Sequence, residues 1–241
     1  MLQKHLQFSL GFGFVFIFEL FLEIDPKTAK LILTDFHYVV KPLITISLAA
    51  YLMYHTQLKG RFSKRIWVGL LFGLVGDVLL MFTHLNDYFF IGGLLAFLLG
   101  HLFYISAFYI DYTWARNIEK NAGYVAIAIF GIFSAVFYFY LHPYLAELNV
   151  PVIIYMIVIS IMAIMSVKRK GRVNTFSYNA IFYGAVLFVI SDAILAFNKF
   201  IEPSKYNGVA IMAFYMIAQY LITIGAIERK MRKHSMITKK G

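Results

Sequence analysis

FFIGGLLAFLLGHLFYISAFYI, residues 89–110, runs for 22 positions without an Asp, Glu, Lys or Arg. At 1.5 Å per residue a helix of that length crosses the roughly 30 Å hydrocarbon core of a bilayer. A surface helix of a soluble protein needs one polar face, and this stretch has none. Working outward, similar runs cover 6–24, 38–55, 65–82, 122–141, 150–167, 177–197 and 207–227. The 241 residues are 61% hydrophobic and 14% charged, with a mean hydropathy of +0.74. A soluble domain holds only about 45–50% apolar residues and has no means of hiding such a surplus. The chain is expected to be all-α, one polytopic membrane domain over 1–241 with about eight transmembrane helices.

The breaks between runs carry turn and interface chemistry: Asp25-Pro26, Lys59-Gly60-Arg61, Asn86-Asp87, His142-Pro143, Lys170-Gly171-Arg172 and Glu202-Pro203-Ser204. They are short, so neighbouring helices should run antiparallel. The first run, Leu6 to Ile24, ends in Glu19-Leu-Phe-Leu-Glu23-Ile-Asp25 with no small-residue cleavage pattern, and is read as a span rather than a leader. With eight spans, 17 of the 22 Lys and Arg residues fall on the side holding both termini. By the positive-inside rule both ends are cytoplasmic, and the basic tail of about 228–241 serves as a solvated anchor against anionic lipid. The expected location is a bacterial cytoplasmic membrane. The net charge of +10 sits in these short runs, not along one helix face with interleaved aromatics, so nucleic acid is not an expected partner.

The chain has no cysteine, which removes disulfides, thiolate metal ligands and a cysteine nucleophile. No G-x-S-x-G elbow surrounds a serine, and no closely spaced histidine pair announces a zinc site. An internal echo is present instead. Gly69-x7-Asp77, within Gly76-Asp77-Val78-Leu79-Leu80-Met81-Phe82, returns as Gly184-x7-Asp192, within Ser191-Asp192-Ala193-Ile194-Leu195-Ala196-Phe197. The offset of 115 residues equals four spans. With Pro42 and Pro151 near the starts of spans two and six, it points to a 4+4 parallel repeat that would set the two aspartates facing each other across a central cavity.

An aspartate at the middle of a membrane helix costs about 2.5–3.5 kcal/mol and needs a partner, a wet cavity or a function. Helix rise places Asp77 about 17 Å and Asp192 about 21 Å from the cytoplasmic edge. Glu19, Lys41, His101, Tyr104, Tyr215 and Gln219 fall in or near the same polar layer. One reading is interhelical glue, with Lys41 paired to an acid and His101 and Gln219 bridging helices. A second is a metal held by Asp77, Asp192 and His101. A third is acid–base chemistry, in which one carboxyl stays protonated as an acid while its neighbour stays ionised. Gly69, Gly73 and Gly76 are expected to let helices approach closely and so to fix Asp77, while the 25 Phe and 17 Tyr mostly face lipid, a few lining an acyl slot.

Lys41-Pro42-Leu43, Gly76-Asp77-Val78-Leu79-Leu80-Met81, the series Gly93, Ala96-Phe97, Gly100-His101 and Tyr104, and Ser191-Asp192-Ala193-Ile194-Leu195-Ala196 resemble, in order and spacing, the YhhN or lysoplasmalogenase-like membrane proteins. The similarity runs from about residue 40 to 225. It implies a multispan hydrolase that cleaves the vinyl ether bond of lysoplasmalogens to a fatty aldehyde and glycerophosphoethanolamine or glycerophosphocholine. Asp77 and Asp192 would be the catalytic pair, and no cofactor or metal would be required. Lys41, His101, Tyr104, Tyr215 and Gln219 would position the head group or the water. The partners would be a lysophospholipid and the bilayer. The rival reading, from another class, is a proton-coupled transporter of small molecules or lipids.

Overall fold

The computed structural model describes residues 2–24, 34–115 and 120–232. Among them are eight long helices: α1 (Leu2–Ile24), α2 (Thr34–Thr56), α3 (Arg61–Met81), α4 (Asp87–Trp114), α5 (Lys120–Leu141), α6 (Asn149–Val167), α7 (Thr175–Phe200) and α8 (Lys205–Ile227). Two short 3-10 turns, His142–Tyr144 and Ala146–Leu148, join α5 to α6. Helices begin where the sequence offers caps: the Asn86 side chain accepts from the Tyr88 amide at 2.9 Å and Ser204 from the Tyr206 amide at 3.3 Å. Gly60 and Gly171 turn the chain with φ of 91° and 77°, a region that costs other residues strain. Of the expected breaks, only Asp25-Pro26 lies outside the described residues.

Six helices, α1 and α4 to α8, are long and apolar enough to cross a membrane, and the chain is a multi-pass integral membrane protein. The other two, α2 and α3, are 23 and 21 residues long. Lys41 on α2 and Arg61, Lys64, Arg65 and Asp77 on α3 lower their hydropathy below the other six, although both pack within the same bundle. Pro42 was expected near the start of a span, but α2 begins eight residues before it, so its missing N–H leaves one backbone bond of the helix interior unmade.

The closest packing is within the α3–α4 and α7–α8 hairpins. Glycine makes both possible. A Cβ on Gly69 would overlap the Tyr104 ring, one on Gly76 would lie 2.7 Å from Phe97, and one on Gly184 would lie 2.9 Å from the Ala218 carbonyl oxygen. The halves pack in parallel ways. In each, the second helix lies against the third, the first against the second, and the second also meets the fourth helix of the other half: α2 touches α8 and α6 touches α4. The departure is at the outer helices, where α1 leans on both α2 and α8 while α5 lies chiefly on α6. Ile129, Ile132, Val136 and Phe139 leave α5 largely exposed, as lipid-facing residues are.

One end of the bundle is closed by charge. Asp111, in the last turn of α4, and Arg169, just beyond α6, are both fully buried. Arg169 Nε donates to Asp111 at 2.8 Å and its Nη2 to the Ser177 hydroxyl at 3.0 Å, while Arg229 Nε donates to the other Asp111 oxygen at 2.7 Å. The tail is therefore not a solvated anchor from residue 228. A carboxylate shut away from water requires cationic partners, and Arg229 is one of them. The docking continues through an isolated bridge between Val173 and Met231 and a bond from the Arg232 amide to the Arg172 carbonyl at 3.0 Å.

Candidate active site

The polar layer resolves into two clusters. Around Asp77 on α3, the Thr45 hydroxyl from α2 donates at 3.1 Å and the Tyr215 hydroxyl from α8 at 2.8 Å, both to Oδ2. Gln219 Nε2 donates to the Tyr215 oxygen at 3.2 Å, and the Tyr104 hydroxyl of α4 donates to Gln219 Oε1 at 2.6 Å. The result is a directional chain, Tyr104 to Gln219 to Tyr215 to Asp77, that joins three helices in a buried interior. A Cβ on Gly73 would lie 2.8 Å from Gln219 Nε2, so that glycine makes room for the chain. Lys41 lies one turn before Thr45 on α2 and makes no hydrogen bond or ion pair among the described residues. Its charge and that of Glu19 act on Asp77 through space. Lys41 is thus not the direct ion-pair partner of an acid that the glue reading required.

Around Asp192 on α7, the Tyr155 hydroxyl of α6 donates to Oδ2. His101 Nε2 of α4 stands 3.9 Å from the same oxygen, beyond hydrogen-bond reach. The imidazole is 1% exposed and neither ring nitrogen has a hydrogen-bond partner among the described residues. It is held edge-on by Phe188, with ring centres 4.6 Å apart, and by Tyr155 at 5.5 Å. His101 therefore bridges no helices by hydrogen bonds; aromatic contacts fix it instead. His101 and Asp192 give two candidate metal donors, and among the described residues no third imidazole or carboxylate joins them.

None of the described cavities is lined by both aspartates. Phe188 stands between the clusters, touching His101 on one side and the Tyr215 ring on the other, with ring centres 5.4 Å apart. A slot between α4, α5, α6 and α7, with about 590 Å³ of unfilled space counting its mouth, has Asp192 and Tyr155 on its wall. Its other lining is mostly apolar, including Phe90, Phe133, Phe137 and Phe200. Phe137, half-buried, is one of the few aromatics that line this slot. A second, more open groove between α5 and α6, of about 880 Å³, shares Ser134, Met156 and Ser160 with the slot.

Thr45 and Tyr155 were not singled out in the sequence, yet each is the hydroxyl that holds an aspartate. A signal was present: they follow Pro42 and Pro151 by three and four residues. The arrangement is reciprocal. Each aspartate takes a hydroxyl from the helix before it, while the helix after the opposite aspartate supplies a polar ring, Tyr215 for Asp77 and His101 for Asp192.

The chain is similar in sequence to known proteins over most of its length. The chain is 34% identical to human lysoplasmalogenase TMEM86A over 73% of its own length and 71% of that protein's. It is 26% identical to human lysoplasmalogenase TMEM86B over 83% of this chain and 80% of the relative. It is 30% identical to a lysoplasmalogenase of Mycobacterium tuberculosis over 78% and 71%. No solved structure matches. The YhhN family model covers residues 36–226, a range that holds both aspartate clusters and every helix that builds them, and the chain accordingly belongs to the YhhN family.

Proposed function

We propose that this protein is an intramembrane lysoplasmalogenase, hydrolysing the vinyl ether of a lysoplasmalogen to a fatty aldehyde and glycerophosphoethanolamine or glycerophosphocholine. The observation that carries the reading is a carboxyl group, Asp192, set on the wall of an apolar slot inside the bilayer. Such a slot accepts the alkenyl chain and brings its enol ether to the acid. Relatives that bear the name lysoplasmalogenase and align over most of this chain support the same chemistry.

In the proposed reaction Asp192, protonated, gives its proton to the alkene carbon remote from oxygen, leaving an oxocarbenium ion. Water adds to the cationic carbon and loses a proton to the carboxylate. The hemiacetal then collapses to the aldehyde as the glycerol oxygen takes up a proton. Tyr155 orients Asp192 through its hydroxyl, and the unpartnered nitrogens of His101 suit it to align the water. Asp77 is the second carboxylate. Its charge, fixed by Thr45 and Tyr215 in a low-dielectric interior, favours the cation from the far side of Phe188. Tyr104, Tyr215 and Gln219 act by holding Asp77, and Lys41 by balancing its field.

The test is aldehyde release from lysoplasmenylethanolamine by purified protein in detergent, for wild type, Asp77→Asn and Asp192→Asn at matched thermal stability. Release by the wild type and its loss in both variants is the expected result. Absence of release by the wild type, with ester lipids also untouched, would overturn the reading in favour of transport.

A further inference from the structure

A second concave site lies at the opposite end of α3 from Asp77, about 24 Å away by helix rise. It opens between the end of α2, the start of α3 and the end of α8, with about 760 Å³ of unfilled space counting its mouth. Lys59, Arg61 and Arg229 line it together with His55 and Ser63, and none of the lining residues is acidic. Of the neighbouring carboxylates, Asp111 is shared between Arg169 and Arg229, and Glu228, between the lining residues Ile227 and Arg229, is held by Lys4 and His5. Lys59 and Arg61 have no ion-pair partner among the described residues, and both are exposed.

Positive charge that only sets topology needs no shape: it sits in loops, solvated and mobile. Here one guanidinium is fixed in place. Arg229 is pinned by Asp111 and lies over the Phe62 ring, 4.2 Å from its centre. Its Nε and Nη2 are spent on Asp111 and Met231, which leaves Nη1 as the donor it can offer at the pocket wall. Together with the cationic groups of Lys59 and Arg61 in the same lining, it suits the oxygens of a phosphate. Asp111 compensates Arg229, but Lys59 and Arg61 line the same concavity without an ion-pair partner among the described residues, and an anion relieves their mutual repulsion.

We propose that this pocket binds a phosphate group, at the end of the bundle that the charge distribution assigns to the cytoplasm. The ligand chemistry is a phosphomonoester or phosphodiester, from the head group of an anionic phospholipid or from free phosphate in solution. The site is separate from the Asp192 slot, and the inference stands whether or not the protein cleaves vinyl ethers.

The experiment measures the thermal midpoint of the full chain in nanodiscs. One set contains phosphatidylcholine alone, a second phosphatidylcholine with phosphatidylglycerol, and a third phosphatidylcholine with inorganic phosphate added. Each is repeated for Lys59→Gln/Arg61→Gln and for the charge-matched control Lys64→Gln/Lys230→Gln, which removes two cations outside the pocket. A ligand a few times above its dissociation constant should raise the midpoint by about 2–4 °C in a chain of this size. A rise with phosphatidylglycerol alone, lost in the pocket variant and kept in the control, assigns the site to a lipid head group. The same pattern with phosphate assigns it to the free anion. No rise with either, or a rise that both variants retain or both lose, overturns the proposal. Native mass spectrometry gives an independent readout. The proposal requires phosphatidylglycerol or phosphate retained by wild type and control and absent from the pocket variant, even if that variant is less stable.

Discussion

Tyr155 and Thr45 show what a single hydroxyl does in this protein. Each spends its one O–H on an aspartate of the polar layer. Tyr155→Phe keeps the ring that holds His101 edge-on and removes only the donor. On the proposed mechanism Asp192 becomes a carboxylate as it gives up its proton, and a hydrogen bond to that charge is worth about 1.5–3 kcal/mol. Aldehyde release should accordingly fall by about one to two orders of magnitude with little change in melting temperature, which steady-state kinetics beside a thermal melt would check. The aspartates themselves stand out in the sequence because a carboxylate in an apolar run has few structural explanations. Tyr155 does not, because 17 tyrosines share the chain and nothing local separates the one that faces an acid from those that face lipid. His101 stands out as the imidazole of an otherwise uncharged span. Its orphaned nitrogens do not, since only the packing of Phe188 and Tyr155 around it denies them partners.

Helices are the scale at which sequence is most informative here, because length and hydropathy set a span without reference to the rest of the fold. The glycines at 69, 76 and 184 likewise foretell close pairs, since nothing larger fits beneath Tyr104, Phe97 and Ala218. What periodicity does not reveal is which helix meets which. The placement of α1 depends on a cluster at its start: Lys4 Nζ lies 2.8 Å from Glu228 Oε1, and His5 joins the same oxygen at 3.1 Å and Tyr51 at 2.7 Å. The Lys4 hydrogen bond holds the Glu228 carboxyl below its ordinary value of 4.5, with His5 assisting. A depressed carboxyl stabilises the fold while ionised, so this contribution is complete above the ordinary glutamate value and fades as pH falls through the lower folded value. Thermal melts of wild type and Glu228→Gln should therefore differ at neutral pH and converge in acid. A constant difference would mean that the charge of Glu228 does not hold α1.

Across the whole molecule, the two ends of the bundle are built differently. The end bearing Asp111 is locked by two guanidiniums on one carboxylate, and Asp111→Asn would strand both. Breaking a buried pair in this way costs about 3–5 kcal/mol, so the melting temperature should drop by roughly 10 °C, which differential scanning calorimetry in detergent would detect. Sequence reading treats these arginines as topology charges. The rule counts cations by side and is blind to burial, and Asp111 falls one residue beyond the apolar run that marks its span. The Asp192 end depends instead on α5, whose Phe133, Ser134 and Phe137 form the outer wall of the slot while the helix itself leans chiefly on α6. The groove beside that wall shares three residues with the slot. On the proposed reading an amphiphile dissolved in the bilayer would meet the site sideways and never have to pass through water. For such an enzyme the relevant concentration is two-dimensional: turnover should track the mole fraction of substrate among the surrounding lipids, and diluting the vesicles in buffer should leave it unchanged.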